Sequence, residues 1–188
     1  HICNEVLKAN DAPGIFSLVI GGGSTIGETL IQDNKVPLIS FTGSTRMGKH
    51  VNEVVSSRFG KTILELGGNN CIIVDETADM EMVVPAIVFG AVGTAGQRCT
   101  STRRVLVHEN IFDGLLDKVI SAYKQVSIGD PLNDGTLMGP LVNENAVKDH
   151  FTAIERAKEH GGKLYYGGNE VPGKGTHVEP VIIEAENH

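Results

Sequence analysis

Short apolar blocks alternate along the chain with stretches in which apolar positions return every three or four residues, and the two rhythms together predict an α/β fold. Residues 15–20, Ile-Phe-Ser-Leu-Val-Ile, read as a buried strand stopped by Gly21-Gly22-Gly23, with a helix over 25–32 after it. A second strand at 37–41 runs into Thr42-Gly43-Ser44-Thr45. Beyond it Met47, Val51, Val54, Val55 and Arg58/Phe59 mark one face of a helix over about 45–59. Strand, helix, strand, helix is the order of a parallel sheet.

Residues 61–66 and 71–74 are the next strands, the second expected to be buried. Asp79 can cap a helix rich in Val, Ala and Met, and Pro85 predicts that any regular helix begins or bends near it. Gly90, Gly93 and Gly96 weaken helix propensity just before Cys99 and suit close backbone approach. After a strand at 103–108, Asn110 and Asp113 have the spacing of a capping box for a helix whose face is Ile111, Leu115, Val119 and Tyr123. Asn143 caps a further helix, packed through Val147, Phe151 and Ile154 and stopped by Gly161-Gly162. Short strands are predicted at 164–166 and 178–183.

The 188 residues suffice for one ordinary domain or two small ones. Net charge is −7, with six basic against six acidic residues in 1–67 and ten against seventeen in 68–188. Such a balance argues against a nucleic-acid partner. No apolar run is long enough for a membrane span and no basic n-region opens the chain, so a soluble intracellular protein with no membrane partner is expected. Cys3, Cys71 and Cys99 are too few and too scattered for a disulfide framework or a metal knuckle, and no histidine pair has zinc spacing. No metal is expected.

Three local features can carry chemistry. Phe41-Thr42-Gly43-Ser44-Thr45 lies at a strand-to-helix junction, where first-turn amides bind a diphosphate or are simply capped by Ser44. Glu65 closes a strand in Glu-Leu-Gly-Gly; a carboxylate there is either an ordinary ion-paired residue or, if buried in a cleft, a base. Gly96-Gln97-Arg98-Cys99-Thr100 contains either an inert thiol or a nucleophile activated by a nearby cation or helix end.

Taken together, Phe-Thr-Gly-Ser-Thr, Glu-Leu-Gly-Gly and Gly-Gln-Arg-Cys, with Glu65 and Cys99 34 residues apart, resemble the NAD(P)-dependent aldehyde dehydrogenase family over essentially the whole chain. Leu-Gly-Gly-Asn-Asn, Gly-Thr-Ala-Gly-Gln-Arg-Cys-Thr and Tyr-Gly-Gly resemble its antiquitin branch, which acts on α-aminoadipic semialdehyde in lysine breakdown. The resemblance implies Cys99 as the nucleophile that forms a thiohemiacetal and thioester, and Glu65 as the base that activates water. It implies Arg98 and Thr100 on the substrate side. Gly23, Gly27, Thr42, Gly43, Ser44, Leu66 and Gly67 are the implied cofactor-binding positions, for NAD with NADP left open.

The resemblance further implies that residues 1–67 are the latter part of a Rossmann-like dinucleotide-binding domain and residues 68–188 the first part of an α/β catalytic domain. The chain then corresponds to the centre of a longer enzyme. The segments bearing the oxyanion-hole Asn and the ribose-contacting Lys and Glu are expected outside it. A homodimer or homotetramer in the cytoplasm, or in mitochondria for a eukaryotic source, is the corresponding expectation for the full-length protein. The alternatives are a nucleotide-binding or structural homologue without catalysis, or a truncated chain inactive in isolation.

Overall fold

The computed structural model describes residues 1–173 and 175–186. They divide into two compact units, His1–Gly67 and Gly68–His188.

The first unit opens with helix α1 (Ile2–Ala9), which buries none of its residues. A π-helical turn, Gly23–Gly27, leads into α2 (Glu28–Gln32). Strand β1 (Leu38–Thr42), helix α3 (Thr45–Ser57) and strand β2 (Lys61–Glu65) follow. β1 and β2 pair in parallel, from Leu38 opposite Lys61 to Thr42 opposite Glu65. A parallel pair needs a crossover, and α3 is that crossover. Strand alternation sends Ile39, Phe41 and Leu64 into one core with Val51 and Val55 of α3 and Ile31 of α2. Ser44 starts α3 by accepting a hydrogen bond from the Met47 N–H at 3.2 Å.

Two expectations for this unit fail. Residues 15–20 form no strand, and their large apolar side chains are between 58% (Phe16) and 83% (Ile20) exposed. β1 and β2 pair with each other, and residues 15–20 join neither of their free edges. Phe59 does not continue the face of α3. The helix ends at Ser57, and Phe59 takes φ 62° with its side chain exposed.

The second unit contains β3 (Asn70–Val74), α4 (Met80–Val92), a 3-10 turn at Gly93–Gly96, β4 (Thr102–Val107), a 3-10 turn at Glu109–Ile111, α5 (Phe112–Tyr123), α6 (Glu144–Glu159), β5 (Lys163–Tyr166) and β6 (Ile182–Glu184). β3 and β4 are parallel, with an irregularity between Asn70 and Cys71, while β5 and β6 are antiparallel. Val74, Ile87, Val92, Leu115, Val119, Tyr123, Met138 and Val178 form the buried core. Burial among these apolar side chains pushes the Tyr123 phenol up to about 12.

Asp79 caps α4 and Asn143 caps α6, as their spacing predicts. Other expectations need correction. β3 buries only one face: Val74 points inward while Cys71 and Ile73 are exposed. Pro85 lies inside α4 and does not begin it. Asn110 is not the cap of α5. His108 Nδ1 accepts from the Asn110 N–H and starts the 3-10 turn, while the Asn110 side chain donates to Glu76. The strand predicted at 178–183 shrinks to β6, because Val178 pairs only in an isolated bridge with Glu170. Among the described residues no helix is long and apolar enough to cross a membrane.

Candidate active site

In the first unit Thr42, Gly43, Ser44, Glu65, Leu66 and Gly67 lie about one edge of the β1–β2 pair, while Gly23 and Gly27 bound the π turn ahead of α2. Thr42 and Glu65 are register partners at the carboxyl ends of the two strands, and the Gly43 N–H donates to the Glu65 carbonyl at 3.1 Å. The carboxyl edge of a parallel pair is where open α/β sheets take ligands. Both side chains lie on the face opposite Ile39, Phe41 and Leu64, and both are exposed. Gly43 leaves room for its neighbour: a Cβ there would stand 2.5 Å from Cζ of Phe41, so the ring would have to move. Leu66 folds back onto α3, where a Cβ at Gly48 would stand 2.4 Å from its Cδ2.

This edge suits an anionic ligand. Ser44 satisfies one first-turn amide of α3, which leaves those of Thr45 and Arg46 without an intrahelical acceptor at the positive end of the helix dipole. The π turn presents similarly bare backbone. Gly23 is its first residue and Gly27 its last, and nothing lies within 4 Å of a Cβ built at Gly23. Gly67 meets only Thr45 Oγ1, 3.9 Å from such a Cβ. These positions fit the diphosphate of a dinucleotide, for which side-chain-free backbone N–H groups are the usual cradle. His50 Nε2 lies 2.8 Å from Glu28 Oε2 and joins α3 to α2, and this bond holds the Glu28 carboxyl below its ordinary value.

In the second unit Cys99 occupies an exposed turn between α4 and β4. Three successive residues before it, Thr94, Ala95 and Gly96, take φ of 54°, 52° and 69°. That left-handed run costs energy at Thr94 and Ala95, and it reverses the chain at the end of α4. Ser101, 1% exposed, ties off the turn: its Oγ accepts from the Arg98 N–H and its own N–H donates to the Arg98 carbonyl, both at 3.1 Å. The carbonyl of peptide 98–99 therefore faces Ser101. A trans peptide then aims the Cys99 N–H the opposite way.

Asn70, at the start of β3, grips the same turn from the other side. Its Nδ2 donates to the Cys99 carbonyl at 2.6 Å and to the Ser101 carbonyl at 3.1 Å. Arg103 and Arg104 add donors to the Gly68 and Asn69 carbonyls. Three consecutive residues, 68–70, are thus tied to the Cys99 turn or the strand that leaves it.

Arg98 is half-buried. Its guanidinium lies over the Phe89 ring, 5.0 Å from the centroid, and donates to the Phe89 carbonyl in the last turn of α4. Thr100 is exposed beside Cys99. The candidate residues thus fall into two groups: Gly23, Gly27, Thr42, Gly43, Ser44, Glu65, Leu66 and Gly67 in the first unit, and Arg98, Cys99 and Thr100 in the second. Reasoning from sequence missed Asn70, Gln97 and Ser101. The only signal for them was their place inside the Gly-Gly-Asn-Asn and Gly-Gln-Arg-Cys-Thr-Ser stretches.

The first unit thus offers a glycine-bounded helix start at a parallel-strand edge, and the second an exposed cysteine on a buttressed turn, both within an α/β architecture. The chain belongs to the aldehyde dehydrogenase family, whose model matches residues 2–188. It is 49% identical over 180 residues to aldehyde dehydrogenase family 7 member A1 of Brassica napus, covering 96% of this chain and 36% of that protein. It is 46% identical over 187 residues to α-aminoadipic semialdehyde dehydrogenase of Mus musculus, covering 100% of this chain and 35% of that protein. Among solved structures, HpcC from Thermus thermophilus superposes with a TM-score of 0.92 at 33% identity, covering 98% of this chain and 38% of that one. Betaine aldehyde dehydrogenase from Staphylococcus aureus, solved in complex with NAD+, superposes with a TM-score of 0.89 at 29% identity, covering 95% and 36%. The chain spans little more than a third of the length of these relatives.

Proposed function

We propose that these residues supply the nucleophile and the base of an enzyme that oxidises an aldehyde to a carboxylate with a nicotinamide dinucleotide. Residues 1–67 act as the latter part of its dinucleotide-binding domain and residues 68–188 as the first part of its catalytic domain. The observation that carries the reading is the family match over residues 2–188, which spans both Glu65 and Cys99.

Cys99 attacks the aldehyde carbon through Sγ, and the carbonyl π electrons move to oxygen to give a thiohemiacetal oxyanion. The Cys99 N–H, turned away from Ser101, donates to that oxygen. Gly23, Gly27, Thr42, Gly43, Ser44, Leu66 and Gly67 hold the dinucleotide, NAD in our assignment. When bound, its nicotinamide supplies the hydride acceptor that brings the carbon to the oxidation level of an acid. Glu65 then takes a proton from water, the resulting hydroxide adds to the Cys99 thioester, and the C–S bond breaks to return the thiolate. One covalent link replaces a hard displacement at an aldehyde by two easier steps.

For the substrate we propose α-aminoadipic semialdehyde, on the support of the Mus musculus relative's name. Arg98 is assigned to its anionic end and Thr100 to the adjoining wall. NADH formation in the presence of α-aminoadipic semialdehyde tests the reading, with acetaldehyde as the comparison. Cys99→Ala should abolish it, and Glu65→Gln should slow turnover by roughly 100-fold or more while leaving a first burst of NADH. Unchanged NADH production by Cys99→Ala would falsify the covalent mechanism.

A further inference from the structure

Gln97 sits between the left-handed run and the nucleophile, and its side chain reaches out of the loop. Nε2 donates to the Thr94 carbonyl at 3.1 Å and to the Pro140 carbonyl at 3.2 Å, and Oε1 accepts from the Val142 N–H at 2.8 Å. Both N–H bonds and the oxygen of one planar amide are engaged, a set that fixes its orientation as well as its position. Two of the partners lie 43 and 45 residues further along the chain.

The far segment is itself anchored. Met138 is buried in the core, its N–H donates to Ser127 and its carbonyl accepts from Gly129. The Leu141 N–H donates to the Thr176 carbonyl, and the Thr176 hydroxyl donates back to the Leu141 carbonyl. A side chain that joins a strained turn to a moored segment fixes the turn relative to the core.

We propose that Gln97 is a positioning residue, a strap that moors the Cys99 turn to Pro140 and Val142 and so sets where the thiol stands. The Met138-Gly139-Pro140-Leu141 stretch is its mooring. The inference rests on the reading of Cys99 as the nucleophile. Asn70 and Ser101 fix the turn from β3 and from within; among the described residues Gln97 is the side chain whose hydrogen bonds tie it to the segment after α5.

Two variants test the strap. Gln97→Met keeps the length of the side chain and removes all three bonds, and Gln97→Glu keeps the acceptor facing Val142 while removing both donors. Each is exposed to iodoacetamide beside the unsubstituted protein, and modification of Cys99 and Cys71 is followed separately by peptide mapping. Cys71, exposed on β3 of the same unit, reports general loosening. The strap predicts a change of threefold or more in the Cys99 rate in both variants with a smaller change at Cys71, and faster amide exchange at Val142 in Gln97→Met alone. A smaller change at Cys99, or an equal one at Cys71, overturns it. Where NADH forms, kcat should fall roughly 100-fold with KM for the dinucleotide unchanged, because misplacement by an ångström is that costly; an unchanged kcat also overturns it. If the unsubstituted full-length protein forms no NADH, the enzymatic reading fails, and the alkylation rates still decide the strap.

Discussion

The carbonyl of Cys99 accepts a 2.6 Å hydrogen bond from Asn70, and this single side chain also holds the Ser101 carbonyl. Asn70→Ala leaves both oxygens to water, so a modest loss of about 1 kcal/mol in unfolding free energy is expected by urea titration. The larger effect should be local: Cys99 loses one of its orienting contacts, and its reactivity changes while Cys71 is unaffected. Asn70→Asp is the sharper comparison, since a carboxylate cannot donate to either carbonyl and should be no better than Ala. The residues proposed to do chemistry were legible in sequence because Cys99 and Glu65 stand in ordered motifs with characteristic spacing. The residues that hold the Cys99 turn were not, because Asn70 and Gln97 act on partners 29 to 45 positions away. No local pattern contains that information.

Helices whose ends are written locally were predicted well. Ser44, Asp79 and Asn143 each accept a first-turn N–H within three residues of themselves, so sequence alone places the starts of α3, α4 and α6. Asp79→Ala should lower stability by about 1 kcal/mol in denaturant titration, and Asn143→Ala by a similar amount. Strands depend on partners. Residues 15–20 have an apolar composition but pair with no strand, and 178–183 yield only two strand residues, Ile182 and Ile183, beside β5. Helix α6 also carries a pH response. Burial of His150, whose Nε2 is enclosed without a partner, lowers its pKa below the ordinary imidazole value. The folded state therefore binds fewer protons than the unfolded one just below about pH 6.5. Stability should be full above that pH and decline as pH falls toward the folded pKa, and His150→Phe should flatten this part of a thermal-melt pH series.

Each unit has a core of its own, Val55 at 0% exposure in the first and Val74 at 1% in the second, and no residue belongs to both. Calorimetry of Val55→Ala and Val74→Ala should lower different parts of the unfolding profile, each by roughly 2 kcal/mol for the methyl groups removed. A single transition shifted equally by both would mean that the units unfold as one. The ladder between β1 and β2 has a bearing on folding fidelity. Side chains alternate across a strand, so a slip of one residue against β1 would turn Lys61, Ile63 and Glu65 toward α3 and send Thr62 and Leu64 into water. Such a mispaired chain would hide Glu65 under a helix and strand a lysine in the apolar core. Correct strand pairing and an exposed Glu65 are therefore achieved in the same event, and under the roles proposed above a population trapped out of register should carry a reactive thiol but no base to release the acid.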